Sequence, residues 1–150
     1  MEFPARIKEK LLYLIKLNSP PEKIAGGFAV GAFIGIFPTF WLGGILALFV
    51  AKVFKLNYAA TLLGAVIVMN PVTTPIFWAL SATVGAFIFS SDSRELLQKI
   101  KDGITLDSIG DITLIYLAGN FIVSSIISFA SFFAAKKLIT VYKERKKINY

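Results

Sequence analysis

The sequence predicts an all-α, polytopic integral membrane protein with two proline-broken hydrophobic hairpins, one plain transmembrane helix and short amphipathic helices at the membrane surface. Apolar residues make up 56% of the 150 residues, and the mean hydropathy is +0.71, which lies above the soluble average. Residues 24–51, 56–91 and 112–135 carry no charge. Each stretch exceeds the about 20 residues that span a hydrocarbon core. Prolines near the middle of the first two stretches predict that each is broken into two helices.

The composition excludes several kinds of chemistry. Cysteine and histidine are both absent, which removes disulfides, thiolate chemistry, zinc–thiolate sites and imidazole catalysis. No Asp, Glu, Lys, Arg or His lies inside any of these stretches, and this disfavours a proton-coupled or ion-coupled transporter. We therefore expect no enzyme, no catalytic residue, no cofactor and no metal site.

One membrane domain is expected over 1–150, and it begins with a helix over 1–18 that lies on the membrane surface. Ile7, Leu11, Leu14 and Ile15 share one face of this helix. Eight charged residues among the first 23 indicate that this segment is not a cleaved signal peptide.

The first broken hairpin is expected over 19–54. Ser19 is a candidate N-cap, with Pro20 at the first helical position and Glu22 completing a capping box. Pro38 divides the segment into helices over about 24–36 and 40–54. Gly27, Gly31 and Gly35 fall on one helix face, where they predict either close helix packing or a groove for a lipid tail.

The second broken pair is expected over 56–91. Its break is Asn70-Pro71-Val72-Thr73-Thr74-Pro75, which separates helices over about 57–69 and 75–90. Residues 31–38 can be aligned with 64–71, with Gly, Ala, Ile and Pro identical at four of eight positions. Chance produces such a match easily in this composition, but a true repeat would put broken segments at matching points of two halves, as in many transporters.

The remainder of the chain is expected to form an external amphipathic segment over 92–111, a transmembrane helix over 112–139 and a basic tail over 140–150. Five acids in the external segment are spaced too widely for a calcium loop and are expected to be solvated. They are Asp92, Glu95, Asp102, Asp107 and Asp111. Asn120, Ser124 and Ser128 repeat at helical spacing and predict a helix–helix contact.

The distribution of charge predicts the topology. Basic residues dominate both ends of the chain, whereas 92–111 carries three bases against five acids. Because positive residues remain cytoplasmic, both termini are expected inside a cytoplasmic membrane crossed more than once. Lys52 and Lys55 predict that the link after the first hairpin is also cytoplasmic, so this hairpin is expected to enter the membrane and return to the same side. The alternative, in which the first stretch crosses fully, leaves these two lysines outside and is disfavoured. The basic ends are explained by topology and anionic lipid headgroups, so no nucleic-acid partner is expected.

The two breaks are the candidate functional positions. Irregular backbone at membrane depth must be buried in protein or line a wet cavity, and half-helix N-termini can hold an anion such as a lipid phosphate. The alternative is that the breaks are structural kinks in which Thr73 and Thr74 bond to local backbone. The residues that would line a substrate path are Pro38, Thr39, Asn70, Pro71, Thr73, Thr74 and Pro75.

The order of these motifs resembles a known family. Ser19-Pro20-Pro21-Glu22-Lys23-Ile24-Ala25-Gly26-Gly27-Phe28-Ala29-Val30-Gly31 is followed by Gly35-Ile36-Phe37-Pro38, by Leu56-Asn57 and by Asn70-Pro71-Val72-Thr73-Thr74-Pro75. This order is similar to the bacterial membrane family catalogued as domain of unknown function 2062, over about 19–90 and more loosely over the final span. The resemblance implies an envelope context near lipid-linked sugars, because the domain also occurs joined to polyprenyl-phosphate glycosyltransferases. The breaks also resemble those of DedA-type lipid-carrier flippases, although this chain lacks their embedded arginines and acids.

Two functions are expected from this sequence. One is transport or scrambling of a small solute or a lipid-linked phosphate through a cleft between the broken helices. The other is a non-catalytic anchor or accessory module for an envelope-biosynthesis partner such as a glycosyltransferase. Membrane lipids and self-association into a homo-oligomer are the remaining expected interactions.

Overall fold

The computed structural model describes residues 18–39, 42–89 and 106–145, and these residues form five helices. The helices are α1 (Pro21–Ile36), α2 (Gly43–Val53), α3 (Tyr58–Val68), α4 (Thr73–Phe89) and α5 (Leu106–Arg145). The all-α prediction is confirmed for this part of the chain. The expected surface helix over 1–18, most of the external segment and the end of the basic tail lie outside the described residues.

Two parts of the described chain have the length and composition needed to cross a membrane. The first is Gly110–Arg145 of α5. The second is the α3–α4 pair, which passes the same test as one unit and is bent by 78° at its break. Helix α2 is apolar but shorter than a span. The sequence therefore predicted correctly that the second uncharged stretch is broken.

Helix α1 does not begin with the expected capping box. Pro20 is the N-cap residue, Pro21 is the first helical residue, and no side chain caps the helix. The Ser19 hydroxyl instead accepts a hydrogen bond from Asn57 Nδ2 at 2.9 Å. The prediction was wrong because Ser19 serves a contact between distant parts of the chain rather than its own helix.

Helices α1 and α3 run parallel and pack backbone against backbone. A Cβ atom added to Gly27 would lie 2.7 Å from the Asn57 carbonyl oxygen, and one added to Gly35 would lie 2.9 Å from the Ala65 carbonyl oxygen. Contacts thus advance along both helices in the same direction. Only residues without a side chain allow two backbones to approach this closely.

Helix α2 returns the chain from the far end of α1 to its beginning. Gly43, Ala47 and Ala51 form its buried face. The return ends with Leu56 N–H donating to the Ala51 carbonyl at 2.8 Å and Asn57 N–H donating to the Lys23 carbonyl at 3.1 Å. Because α1 starts and α2 ends at the same level, these two helices form a hairpin.

Helix α5 runs antiparallel to both α1 and α4. Its first half lies against α4, where Gly119 meets the backbone of Ser81 and Gly85. Its second half lies against α1, and Ser128 Oγ donates to the Ala29 carbonyl at 2.8 Å. The helix has 40 residues, so it is longer than the predicted span and extends into the segments predicted as external and as tail. It contains no proline, and charged residues do not by themselves end a helix.

The distribution of apolar side chains is the reverse of that in a soluble core. Most of the fully buried residues are small or polar, for example Ala25, Ala47, Thr61 and Ser81, each with 0% exposure. Large apolar side chains face outward along α2, α3, α4 and α5, and Phe87 is 88% exposed. Close backbone packing, rather than burial of large side chains, therefore holds the described helices together.

Candidate functional site

The first break leaves a buried hydroxyl group without a partner. Helix α1 ends where Phe37 adopts an extended conformation, with its N–H donating to the Phe33 carbonyl. Thr39 N–H donates to the Phe37 carbonyl at 2.7 Å. The Thr39 Oγ1 atom is buried and has no hydrogen-bond partner in the described part of the chain. Pro38, beside it, is half-buried.

The second break satisfies most of its polar atoms locally. Asn70 Oδ1 accepts hydrogen bonds from the N–H groups of Val72 at 3.0 Å and Thr73 at 3.1 Å. Asn70 Nδ2 donates to the Ile67 carbonyl at 2.8 Å, and Thr73 Oγ1 donates to the Val68 carbonyl. Asn70 therefore caps α4 and occupies amide groups that an anion would otherwise use.

The two breaks lie next to each other. A Cβ atom on Gly43, the first residue of α2, would lie 2.5 Å from Thr39 Oγ1 and 3.6 Å from Met69 Cε. Met69 is the residue directly before Asn70. The far ends of the parallel helices α1 and α3 thus meet the start of α2 at one place, and this place contains the candidate residues of both breaks.

Asn120 of α5 reaches the same end of α1. Its side chain is fully buried, and Nδ2 donates to the Ile36 carbonyl at 3.2 Å and to Ser81 Oγ at 3.0 Å. The Asn120 Oδ1 atom is buried without a partner among the described residues. A buried amide oxygen without a partner costs about 1–3 kcal/mol, so this acceptor is available to a ligand that donates a hydrogen bond.

The other candidate residues are distributed as follows. Pro71 and Pro75 are exposed, and Thr74 is half-buried. Ser124 is fully buried but bonds within its own helix to the Phe121 carbonyl. Gly27, Gly31 and Gly35 all face α3, so no open groove runs along this side of α1. The structure thus brings Thr39, Asn70 and Asn120 to one end of the α1–α3 pair and places the glycines in its interior.

A polar cluster at the opposite end of the pair could not be identified from the sequence. Asn57 caps α3 by accepting from Ala60 N–H at 3.0 Å, and Lys143 Nζ donates to the Ser19 carbonyl at 2.6 Å. Lys143 is 3% exposed. These residues lie far apart in the chain, and only the spacing of the folded helices brings them together.

An ion pair closes the same end. Lys136 Nζ lies 3.3 Å from Glu22 Oε1. Hydrogen bonds from the Glu22 backbone N–H and from Lys136 lower the pKa of the Glu22 carboxyl below its ordinary value of 4.5. Both side chains are substantially exposed, so this pair orients α5 on α1 more than it stabilises the fold.

One small apolar cleft lies between α4 and α5, away from the breaks. It has a volume of about 260 Å³ and is lined by Ala82, Ile112, Thr113, Ile115 and Tyr116. In the described ranges, no three carboxylate side chains come close enough to hold a metal ion.

Comparison with known proteins gives one match. The sequence model of the family DUF2062, described as an uncharacterized protein conserved in bacteria, matches residues 5–147. No curated protein matches the chain, and no solved structure does.

Proposed function

The chain belongs to the uncharacterised bacterial family DUF2062, and we propose that it transports or scrambles a small solute or a lipid-linked phosphate across the cytoplasmic membrane through a cleft between the broken helices. In this proposal both termini are cytoplasmic, α1 and α2 form a re-entrant hairpin, and the α3–α4 pair and α5 cross the membrane. The outward-facing large apolar side chains of α2 to α5 support contact with lipid.

The observation that carries the proposal is a pair of buried oxygens without partners, one at the first break and one on α5 where it meets the end of α1. Thr39 Oγ1 and Asn120 Oδ1 have no hydrogen-bond partner in the described ranges. Such atoms are costly in a low-dielectric interior unless a ligand or water occupies the site at some stage. Because α1 and α3 are packed too closely to admit a substrate, the path is proposed at the breaks, on the side that faces α5.

The test uses Thr39→Val, which removes the hydroxyl and keeps the shape of the side chain. Purified protein is reconstituted into vesicles, and transbilayer movement of a fluorescent polyprenyl phosphate is measured, with a small polar solute in a parallel assay. We expect Thr39→Val to lower the rate by about tenfold or more, equivalent to one lost hydrogen bond of about 1.4 kcal/mol. Stability should not fall, because this hydroxyl has no partner in the described structure.

Thr83→Val is the matched control. Thr83 is exposed on α4, and its hydroxyl donates to the Ala79 carbonyl one turn back at 2.8 Å. This variant should move both substrates at the native rate. The proposal is refuted if the unaltered protein moves neither substrate. It is also refuted if Thr39→Val and the native protein move the substrates at equal rates.

A second function is favoured by a different observation. The amide of Asn70 and the hydroxyl of Thr73 bond within their own break, as expected of a structural kink. This supports an accessory role in which the domain positions an envelope enzyme such as a glycosyltransferase. In that case Thr39→Val would have no effect, whereas Gly31→Leu would abolish function by separating α1 from α3.

A further inference from the structure

Helices α1 and α3 are related by an approximate two-fold axis that lies along their common direction. A Cβ atom added to Gly31 would meet the backbone of Thr61 and, at 2.9 Å, the Ala65 nitrogen. A Cβ atom added to Gly64 would meet the backbone of Phe28 and, at 3.0 Å, the Ala32 nitrogen. The equivalent residues in this reciprocal set are Gly31 and Gly64, Phe28 and Thr61, and Ala32 and Ala65, and the members of each pair are 33 positions apart in the sequence. This is also the offset between 31–38 and 64–71.

The outer face of α1 is covered by α5. Ala25 shares a buried cluster with Ala135 and Ile139. Farther along α1, the Ala29 carbonyl accepts from Ser128, the Phe33 ring packs edge-on against Phe121 at 5.9 Å, and the Ile36 carbonyl accepts from Asn120. We call this α5-covered face, formed by Ala25, Ala29, Phe33 and Ile36, the first seat.

A matching face on α3 is not covered by α5 and is largely open in the described structure. Moving 33 positions from the first seat leads to Tyr58, Leu62 and Val66 on α3 and to Met69 just after it, which we call the second seat; of these, Met69 also lies beside Gly43 of α2. Their exposed fractions are 50%, 38%, 51% and 48%, whereas Ala25, Ala29 and Ile36 are exposed by 0%, 6% and 2%. The two-fold relation fails beyond the breaks, because α4 bends away to α5 while α2 folds back, and the second seat is therefore left open.

The charge beside the two seats is reversed. Glu22 precedes the first seat by one turn and pairs with Lys136 of α5. The equivalent position before the second seat, 33 residues later, is Lys55, which is exposed. An α5 helix from a second copy would place Lys136 against this lysine. Like charges at this position disfavour such a copy, whereas a carboxylate would be attracted.

We propose that the second seat binds a transmembrane helix of another membrane protein. The helix is apolar, runs antiparallel to α3, and carries an Asp or Glu near its C-terminal end, where α5 carries Lys136. Because the second seat presents larger side chains than the first, the bound face of the partner helix consists of small residues such as alanine and serine.

The test uses a synthetic helix as the partner and exploits the absence of cysteine from the chain. The probe is an alanine–leucine transmembrane peptide of about 24 residues with serine and alanine on one face and one Glu near its C-terminus. A matched peptide carries Lys in place of that Glu. The full chain bears a single cysteine, either Val66→Cys on the second seat or Ile126→Cys on the outer face of α5, where the native side chain is 63% exposed. Each variant is labelled with a photo-crosslinker and reconstituted into vesicles.

We expect the Glu peptide to crosslink at position 66 about fivefold more than the Lys peptide, as one ion pair near the surface would produce. Crosslinking at position 126 should be low and equal for both peptides. Lys55→Glu should reverse the preference. Lys55→Asn, which removes the charge and tolerates the positive φ of 53° at this position, should abolish the preference if the reversed-charge variant does not fold.

Three outcomes would overturn the proposal. Crosslinking at position 66 no greater than at position 126 would mean that lipid covers the second seat. A preference for the Glu peptide that survives both Lys55 substitutions would mean that the charge does not select the partner. Crosslinking of position 66 to a second copy of the chain, in preference to either peptide, would identify the second seat as a homodimer interface.

Discussion

At the scale of single residues, glycine determines how closely the helices of this protein can approach. Gly31 lies against the Thr61 backbone, whereas no atom of the described residues lies within 4 Å of a Cβ added to Gly44. Both positions are helical, Gly31 in the interior of α1 and Gly44 in the first turn of α2. Alanine substitutions at the two positions therefore distinguish the role of glycine in close packing from its low helix propensity.

The first prediction compares Gly31→Ala with Gly44→Ala. Gly31→Ala should lower the free energy of unfolding by about 1–3 kcal/mol or more, because the added methyl group strikes backbone that cannot move aside. Gly44→Ala should raise it slightly, by up to about 0.5 kcal/mol, because alanine loses less backbone entropy in a helix and this position lies in the first turn. Thermal unfolding in detergent micelles measures both changes, and equal effects of the two substitutions would contradict the packing assignment.

The second prediction concerns the Glu22–Lys136 ion pair. The pKa of Glu22 is lower in the folded protein than its ordinary value of 4.5, so its contribution is complete above that value and is lost as the pH falls through the folded pKa. The native protein should lose slightly more stability than Glu22→Gln between pH 6 and pH 3. Thermal midpoints in detergent across this range test it, and parallel curves for the two proteins would show that the pair contributes nothing.

At the scale of the helices, Asn70 determines where α4 begins and how it leaves α3. Its Oδ1 atom accepts from two N–H groups of the following turn, and its Nδ2 atom donates back to α3. One side chain thus joins both sides of a 78° bend. Proline interrupts the helix, but the amide fixes the geometry of the interruption.

The third prediction is that Asn70→Ala lowers stability by about 1 kcal/mol, the usual cost of a lost N-cap. Asn70→Ser keeps a side-chain acceptor for the cap and loses the bond to the Ile67 carbonyl, so it should cost less. Unfolding of both variants in the same detergent gives the comparison. Equal losses for Asn70→Ser and Asn70→Ala would mean that the Nδ2 bond, which both variants lack, accounts for the effect and the cap does not.

The sequence predicted where the hydrophobic stretches are broken, but it did not predict the full length of α5. Pro38 and the Asn70–Pro75 motif located both breaks, because proline acts on its own backbone. The length of α5 was underestimated because hydropathy marks the apolar part of a helix and not its end. The partner of α1 was beyond prediction, since glycine spacing indicates a close contact without saying which helix makes it. Asn57, Ser19 and Lys143 likewise meet only through the fold.

At the scale of the whole molecule, the described helices have two distinct ends. The beginning of α1, the end of α2, the beginning of α3 and the end of α5 lie together, as the contacts of Ser19 with Asn57 and Lys143 show. The end of α4 lies beside the first half of α5, where Gly85 meets Ile115. The fold thus has a basic end, which carries Lys136 and Lys143, and an opposite end, where α4 ends beside the first half of α5.

The fourth prediction places these two ends on opposite sides of the membrane. Phe54→Cys lies at the end of α2 and Phe87→Cys near the end of α4, and the native side chains are 68% and 88% exposed. A membrane-impermeant maleimide should label position 54 only in inverted vesicles and position 87 only in intact cells. Labelling of both from the same side would exclude a crossing by the α3–α4 pair.

The length of α5 has a mechanical consequence. Its 40 residues extend for about 60 Å, twice the thickness of a hydrocarbon core of about 30 Å. It contains no proline at which it could hinge. Because its first half packs on α4 and its second half on α1, a continuous α5 would couple a displacement of α4 to the Lys143 contact at its other end. Movement of the broken helices would therefore change the position of the Lys143 contact on the basic side, where a partner protein would have access to it.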